Sequence, residues 1–366
     1  MILALFVTGF ALASNAQDSD KKKTVIELPQ WVKDIKISGY GMLQYQAQNP
    51  EEHAENAFNI RLMRVSMESK IGDFAWRVQM QGSSNAGPGN PTVMLVDLFA
   101  EWQKYEFFRV KAGQFKRSFT FENPAHPITQ GWFAYGQIIN TLSGFGDRSG
   151  EKNSCGRDIG IQIQGDFLKN AAGRNLIHYQ VGVYNGEGIN QKDKDNRKDV
   201  IGGIWFMPVK GVRIGAFGWV GSRGDMTWID ENGNACKGSI SKNRYCLSAE
   251  YDKDEYTFRA EYIHSQGWGA TKVDSREVDF SKGDKADGFY AFGIVPVIKS
   301  KLHAKARYNM YRPTKEWSKS KTMYEVGLNY IINKHFQINA EYAFVNDRSL
   351  NKHNYHFADI QFDFRF

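Results

Sequence analysis

The last twelve residues, Tyr355 to Phe366, restrict the possible folds of this chain more than any other stretch. From Ala358 onward every second residue is apolar, and the residues between them are charged or carry an amide. The apolar set is Ala358, Ile360, Phe362, Phe364 and Phe366, and the polar set is Asp359, Gln361, Asp363 and Arg365. Because a strand points successive side chains to opposite faces, one face here is apolar and the other is polar. Such a strand can cover the core of a soluble protein, or it can separate lipid from a water-filled lumen.

Similar segments recur along the chain, and their connections are alternately short and long. Short connections such as Ile71–Asp73 and Asn333–Lys334 alternate with long ones such as Arg117–Cys155 and Ser222–Asn243. Short turns at one end and long loops at the other are typical of outer-membrane barrels, whereas a soluble sandwich has no reason to keep this alternation. The pattern therefore predicts an all-β fold, a transmembrane antiparallel β-barrel of about sixteen strands over residues 35–366. The predicted strands are 35–46, 56–70, 73–83, 92–103, 107–116, 156–167, 175–186, 198–208, 211–221, 244–252, 255–266, 287–297, 300–311, 322–332, 335–346 and 354–366.

Two segments do not alternate cleanly. In 56–70 the apolar face changes side, which predicts a bulge near Met63. The segment 287–297 is almost uniformly apolar, so its register stays open. Aromatic residues cluster at predicted strand ends, which is typical of the girdles of membrane barrels. These residues are Trp76, Trp102, Tyr105, Trp219, Tyr311 and Tyr330.

The N-terminus has the pattern of an export signal. Met1–Ala16 contains an apolar run followed by small residues, which predicts a signal peptide, and 17–34 is a polar periplasmic lead-in. The formal net charge of +7 suits anionic lipid or anionic solutes, and export excludes nucleic acid as a partner. We expect a bacterial outer-membrane location. Cys236 and Cys246 can close a loop in an oxidising compartment or stay free, and the spacing leaves both alternatives open.

Three stretches carry a family resemblance. They are Arg109–Lys116 (RVKAGQFK), Gly156–Gln162 (GRDIGIQ) and Val181–Gly188 (VGVYNGEG). Together with Ile60–Asp73 they resemble the phosphate-selective porin O/P family of Gram-negative outer membranes, over roughly residues 35–366. The terminal aromatic residue also resembles the assembly signal of outer-membrane barrels. The resemblance implies a sixteen-stranded trimeric channel whose third external loop folds inward and narrows the pore.

The connection from Lys116 to Ser154 is the candidate for this loop. It carries many apolar residues, including Phe121, Trp132 and Ile138, which must pack somewhere. Folding into the barrel buries them and predicts four basic residues near the opening: Lys116, Arg117, Arg148 and Lys152. The alternative is a folded cap on the outer rim.

Strand alternation places further basic side chains in the lumen, and they complete the list of candidate solute-binding residues. They are Arg64, Arg77, Arg109, Lys111, Lys305 and Arg307. Acidic residues such as Asp97, Glu101 and Glu341 face the lumen too, so many of these charges are expected to be paired. Arg109 and Lys111, two residues apart on the strand before the loop, are the preferred candidates.

These observations predict a porin, a water-filled channel for passive diffusion of small hydrophilic solutes that favours anions such as phosphate. The expected surroundings are outer-membrane lipid and lipopolysaccharide, and the expected assembly is a homotrimer. One alternative is a plugged scaffold barrel or adhesin that binds partner proteins, and another is a barrel hydrolase. No catalytic constellation, cofactor motif or metal site is found in the sequence, and the run at 193–196 is interpreted as a solvated loop. We therefore expect no enzymatic activity.

Overall fold

The computed structural model describes residues 34–50, 54–83 and 93–366. The predicted signal peptide, and the predicted lead-in apart from Asp34, lie outside the described residues. In the described part of the chain no helix is long and apolar enough to cross a membrane.

Sixteen strands of the described residues close into one antiparallel barrel, in which β20 pairs with β1. The barrel strands are β1 (Lys36–Gln48), β2 (Glu55–Ile71), β3 (Phe74–Gly82), β4 (Val93–Tyr105), β5 (Phe108–Lys116), β6 (Arg157–Lys169), β7 (Asn175–Tyr184), β8 (Asp199–Phe206), β9 (Val212–Val220), β12 (Asn243–Lys253), β13 (Tyr256–Gln266), β16 (Lys285–Ile298), β17 (Leu302–Arg312), β18 (Lys321–Asn333), β19 (Phe336–Asp347) and β20 (Asn354–Arg365). Each predicted strand corresponds to one of these and agrees within two residues at both ends. The predicted fold class is confirmed.

The remaining described elements lie in the long connections. β10 (Ser222–Ile229) pairs with β11 (Ala235–Ser241), and β14 (Gly269–Ala270) pairs with β15 (Val278–Asp279). The helical pieces are Gln137–Leu142, Phe280–Lys282 and Trp317–Lys319. All three cysteines lie in described residues and are unbonded, so the structure chooses the free alternative for Cys236 and Cys246.

The bulge predicted near Met63 lies two residues earlier. Met42 of β1 pairs with Leu62, and Leu43 pairs with Ile60, so Arg61 is the extra residue. An extra residue reverses which face the following side chains point to. Beyond it, Arg64 points inward and Met63 lies exposed on the outer face.

The two faces of the barrel differ as the last strand predicts. Asp359, Gln361 and Asp363 are each only 1% exposed and point inward. Ile360, between them, is 55% exposed on the outer face. The same alternation corrects two of the predicted girdle residues. Trp219 shares the inward face of β9 with Arg213, and Tyr311 packs against the interior cluster from β17.

The long connection between β5 and β6, residues 117–156, is called the inward loop below. It crosses the lumen and packs against the opposite wall, so the rim-cap alternative is wrong. Phe133 stacks on Phe357 of β20 with ring centroids 4.6 Å apart, and Trp132 packs against Phe292 of β16. The largest buried apolar cluster of the described residues joins this loop to the inner wall. The core of this barrel therefore lies in its lumen.

Candidate constriction site

A buried ionic cluster holds the base of the inward loop. The Arg117 guanidinium donates to Glu151 at 2.6 Å and stacks over Trp219, and the side chains of Arg117 and Glu151 are wholly buried. Arg244 of β12 donates to Asp147 of the loop at 2.7 Å. This pairing holds the pKa of the Asp147 carboxyl below its usual range against the opposing effect of burial. Because breaking a buried pair leaves an uncompensated charge, these contacts resist displacement of the loop.

The far half of the inward loop is tied to the wall opposite β5. Arg307 of β17 donates to the Ala134 carbonyl at 3.0 Å and, through Nη2, to Glu325 at 2.6 Å. The Gln137 backbone N–H donates to Asn309 Oδ1 at 3.1 Å. An open space lies on the other side of the loop, between it and strands β2–β9.

That space is a cavity of about 500 Å³, which is within the range of small-molecule sites. Side chains of β2 to β9 form its wall side, and residues between Arg117 and Pro127, at the start of the inward loop, form its other side. The basic and imidazole side chains in its lining are Arg64, Arg77, Lys111, Lys116, Arg117, Arg157, Arg213, His126 and His178. Asp97 is the acidic residue of the same lining.

Two of these cations have neutral hydrogen-bond partners. Arg64 donates to Gln81 Oε1 at 2.8 Å and to the Tyr40 hydroxyl at 3.1 Å. Lys116 donates to backbone carbonyls of the inward loop, including that of Ala125 at 3.1 Å. Among the described residues neither forms an ion pair within 4.0 Å, whereas Asp97 is paired with Arg157 at 2.6 Å. Arg64 therefore adds uncompensated positive charge to the cavity.

The imidazole of His126, a residue of the inward loop, responds to this positive field. Burial, followed by the charges of Arg64 and Lys116, lowers the pKa of His126 to about 4. The ring stacks obliquely against Tyr40 with centroids 4.5 Å apart. His126 is thus neutral near pH 7 and adds no charge to the lining.

The structure brings together only part of the predicted site. Arg64, Arg77, Lys111 and Lys116 line the cavity. Arg77 is paired with Glu68 at 2.9 Å and Lys111 with Glu101 at 3.4 Å. Arg117 also lines the cavity, but its guanidinium is paired with the buried carboxylate of Glu151.

The other predicted residues lie elsewhere. Arg109 is paired with Asp166 at 2.6 Å and is absent from the cavity lining. Lys305 and Arg307 lie behind the inward loop, bound to its backbone carbonyls and to wall carboxylates. Arg148 donates to the carbonyls of Lys282 and Gly283 and so joins the loop to the next long connection. Lys152 forms a bridge with Gly188 at the loop base.

Several lining residues were absent from the predicted site. Strand alternation puts Arg213 on the inward face of β9, but its nearness to the loop depends on barrel closure. Arg157 lies in the motif GRDIGIQ, but the sequence does not indicate that its side chain pairs with Asp97 and lines the cavity. Alternation predicts that His178 faces inward, which the structure bears out, but nothing in the sequence indicates that it meets Trp205 and His126 at one cavity.

Two groups of side chains resemble parts of a catalytic site or a metal site. His178 Nδ1 lies 2.7 Å from Asp166 Oδ1, but no described hydroxyl or thiol meets His178 Nε2, so the nucleophile of a triad is missing. Glu187, Asp193 and Asp195 hold carboxylate oxygens within 4.8 Å of one another. Arg276 and Lys198 already pair with this acidic group.

No family model matches this sequence. No curated protein matches it either. Its fold is similar to that of solved porins at low sequence identity. OmpF of Salmonella typhi, solved in complex with daunomycin, superposes with a TM-score of 0.63 at 12% identity, covering 91% of this chain and 97% of that one.

An anion-selective porin from Comamonas acidovorans gives a TM-score of 0.64 at 10% identity, covering 91% and 99% of the two chains. OprB of Pseudomonas putida gives 0.60 at 9% identity, covering 92% and 95%. At these identities the likeness establishes the fold: this chain is a closed sixteen-stranded barrel of the kind found in Gram-negative porins.

Proposed function

We propose that this protein is a channel of the Gram-negative outer membrane through which small hydrophilic solutes diffuse passively, with anions favoured over cations. The outer face of the barrel supports the membrane location. Large apolar side chains stand exposed there, such as Leu328, Val326 and Ile360, and a water-soluble monomer has no reason to expose so many. The polar inner face suits an aqueous lumen.

The observation that carries the anion preference is the uncompensated guanidinium of Arg64 beside the inward loop. Arg64 and Lys116 line the cavity and bind only neutral oxygens among the described residues. A narrow site with an excess of one sign attracts the opposite ion and repels its own sign. Phosphate and other small anions are therefore favoured solutes of the proposed channel.

The finer expectations belong to the same proposal. Membership of the phosphate-selective porin O/P family rests on the motifs at Arg109–Lys116 and Gly156–Gln162. The cleaved signal peptide rests on the apolar run at 1–16, and the homotrimer rests on the family resemblance. Mass spectrometry of the purified outer-membrane protein, first denatured and then native, checks the mature N-terminus and the number of subunits.

Planar-bilayer recordings test the anion preference. Under a KCl gradient the wild-type reversal potential is expected to have the sign of chloride selectivity. The variant Arg64→Gln should shift it toward potassium, because an uncompensated positive charge is removed without a large change in volume. Lys237→Gln, on the exposed hairpin β10–β11, is the matched control and should leave the potential unchanged.

Two results would contradict the proposal in different ways. Conductance with a cation-selective reversal potential removes the anion preference and leaves a general channel. A folded barrel with no conductance at all removes the channel and favours the plugged scaffold.

A further inference from the structure

The cavity beside the inward loop has a second character that charge alone does not explain. Besides His126, five aromatic side chains line it: Phe99, Phe115, Phe121, His178 and Trp205. We call these five the ring cluster. Inward positions of water-filled barrels are usually polar, because an apolar wall next to water carries a free-energy cost. Phe115 and Phe121 are buried in the cluster that joins the loop to the wall, whereas Phe99, His178 and Trp205 are only partly buried and present ring surface to the cavity.

The rings are packed in fixed relative orientations. His178 stacks on Trp205 with centroids 4.0 Å apart and planes 16° from parallel. Phe121, from the inward loop, meets Trp205 edge-on at 5.6 Å, and Phe99 meets Phe115 edge-on at 6.0 Å. Because these rings are already held in place, little side-chain conformational entropy is lost when a second flat ring binds to them.

Basic side chains stand directly over these rings. The Lys111 ammonium lies 5.0 Å from the centroid of Phe99, and the Arg213 guanidinium lies 4.1 Å from that of Phe121. Lys111 is already paired with Glu101 at 3.4 Å, and Arg213 with Glu250 at 2.6 Å. A compact anion must compete with these carboxylates for the charge alone. An anion with a flat apolar body gains ring contact in addition.

One polar atom of the ring cluster is also left without a partner. His178 Nδ1 is held by Asp166, while Nε2 is buried and meets no hydrogen-bond partner among the described residues. A buried nitrogen of this kind is costly to leave unpaired. A bound solute with a polar substituent can satisfy it.

We propose that this cavity selects organic anions with a flat aromatic or conjugated body, such as aromatic carboxylates, over compact inorganic anions such as phosphate. The proposal rests on the channel function above and names its preferred class of solute. The carboxylate faces the cations Lys111 and Arg213, and the flat body lies against the ring cluster.

Current block measured in planar bilayers tests this solute class. Benzoate is the probe, and cyclohexanecarboxylate, with the same charge and similar size but no flat ring, is the matched solute. Sodium phosphate is the inorganic reference. In KCl, the half-blocking concentration of benzoate for wild-type channels should be about 3- to 10-fold lower than that of cyclohexanecarboxylate. The half-blocking concentration of phosphate should be higher than both.

Variants separate the ring effect from the charge effect. Trp205→Leu and, independently, Phe99→Leu should each raise the half-blocking benzoate concentration about 2- to 10-fold and change the half-blocking phosphate concentration much less. Trp76→Leu, on the opposite face of β3 from Arg77, is the matched control and should change neither value. If Trp205→Leu fails to fold, Phe99→Leu and the wild-type comparison of the three solutes still decide the question.

The failures of the two proposals are distinguishable. Anion-selective current in which benzoate blocks no better than cyclohexanecarboxylate or phosphate overturns the solute class and leaves the channel standing. Absence of conductance overturns the proposed channel, and cation selectivity overturns its anion preference.

Discussion

Arg64 keeps its full charge available because both of its side-chain partners, Tyr40 and Gln81, are neutral. Lys111 lines the same cavity but lies 3.4 Å from Glu101. At such a separation a neighbouring carboxylate cancels much of the field felt by a passing ion. Nearness to the channel is therefore a weaker guide to selectivity than the pairing of each cation.

This difference predicts a ranking of two variants. Arg64→Gln should lower the chloride-to-potassium permeability ratio about 3-fold, and Lys111→Gln should lower it clearly less. Reversal potentials measured under one KCl gradient give both values. A Lys111→Gln effect equal to or larger than that of Arg64→Gln would show that pairing does not decide the selectivity.

Glu122 of the inward loop is a second residue whose surroundings set its chemistry. Burial, helped by the charge of Glu261 and opposed by Arg307 and Arg259, raises the pKa of the Glu122 carboxyl to about 7 from its ordinary 4.5. Between these two values the folded protein binds more protons than the unfolded chain. Its free energy of unfolding therefore falls as the pH rises through this window.

Glu122→Gln should remove this dependence. The variant is expected to be more stable than the wild type by up to about 3 kcal/mol above pH 7 and equal to it below pH 4.5. Urea unfolding in lipid vesicles at a series of pH values measures the difference. His126, whose pKa is lowered to about 4, gives an opposite slope, but it is present in both proteins and cancels. A stability difference that grows as the pH falls would contradict the assignment.

At the scale of elements, the inward loop behaves as a separate layer held by buried pairs. Arg117 meets Glu151 at 2.6 Å and Asp158 at 3.6 Å, with all three side chains wholly buried. Removing one partner of such a group costs about 3–5 kcal/mol, because the remaining charges stay buried without compensation.

Arg117→Met should therefore loosen the loop without dissolving the barrel. We expect a larger and noisier single-channel conductance and a lower urea midpoint. The double variant Arg117→Met/Glu151→Met should recover part of both, and Lys194→Met on an exposed loop serves as the control. An unchanged conductance in Arg117→Met would mean that this pair does not position the loop.

Elements with a period of two were predictable, and loop paths were not. Alternation located all sixteen strands, and it placed Arg64 and Lys111 inside. The same rule puts Trp219 on the inward face of β9 with Arg213. Alternation in the sequence therefore already argues against a place for Trp219 in the outer aromatic girdle. The hairpin β10–β11 was missed because its residues fall within a polar connection that has no apolar face as long as those of the barrel strands.

The site was only partly predictable, for a related reason. A strand position gives the face of a side chain, but it does not say which neighbour neutralises it. Arg109 and Lys111 look equivalent along β5, yet Arg109 is consumed by Asp166 on the adjacent strand β6. Arg117 and Arg148 fall within the loop, where no periodicity applies, and both prove to be fastened to protein groups.

At the scale of the whole molecule, the account depends on solution passing between the inward loop and strands β2–β9. Gln180 lines that passage from β7, and Leu328 lies on the exposed outer face of β18. A charged label placed at the first position should obstruct ions, and one placed at the second should not. Both cysteine variants are made in a background in which Cys155, Cys236 and Cys246 are replaced by serine.

The most direct measurement is the single-channel conductance before and after labelling with 2-sulfonatoethyl methanethiosulfonate. The account predicts a clear fall in conductance for Gln180→Cys and none for Leu328→Cys. If labelling of Gln180→Cys, verified by mass, leaves the current unchanged, the passage beside the inward loop is not the path of the ions.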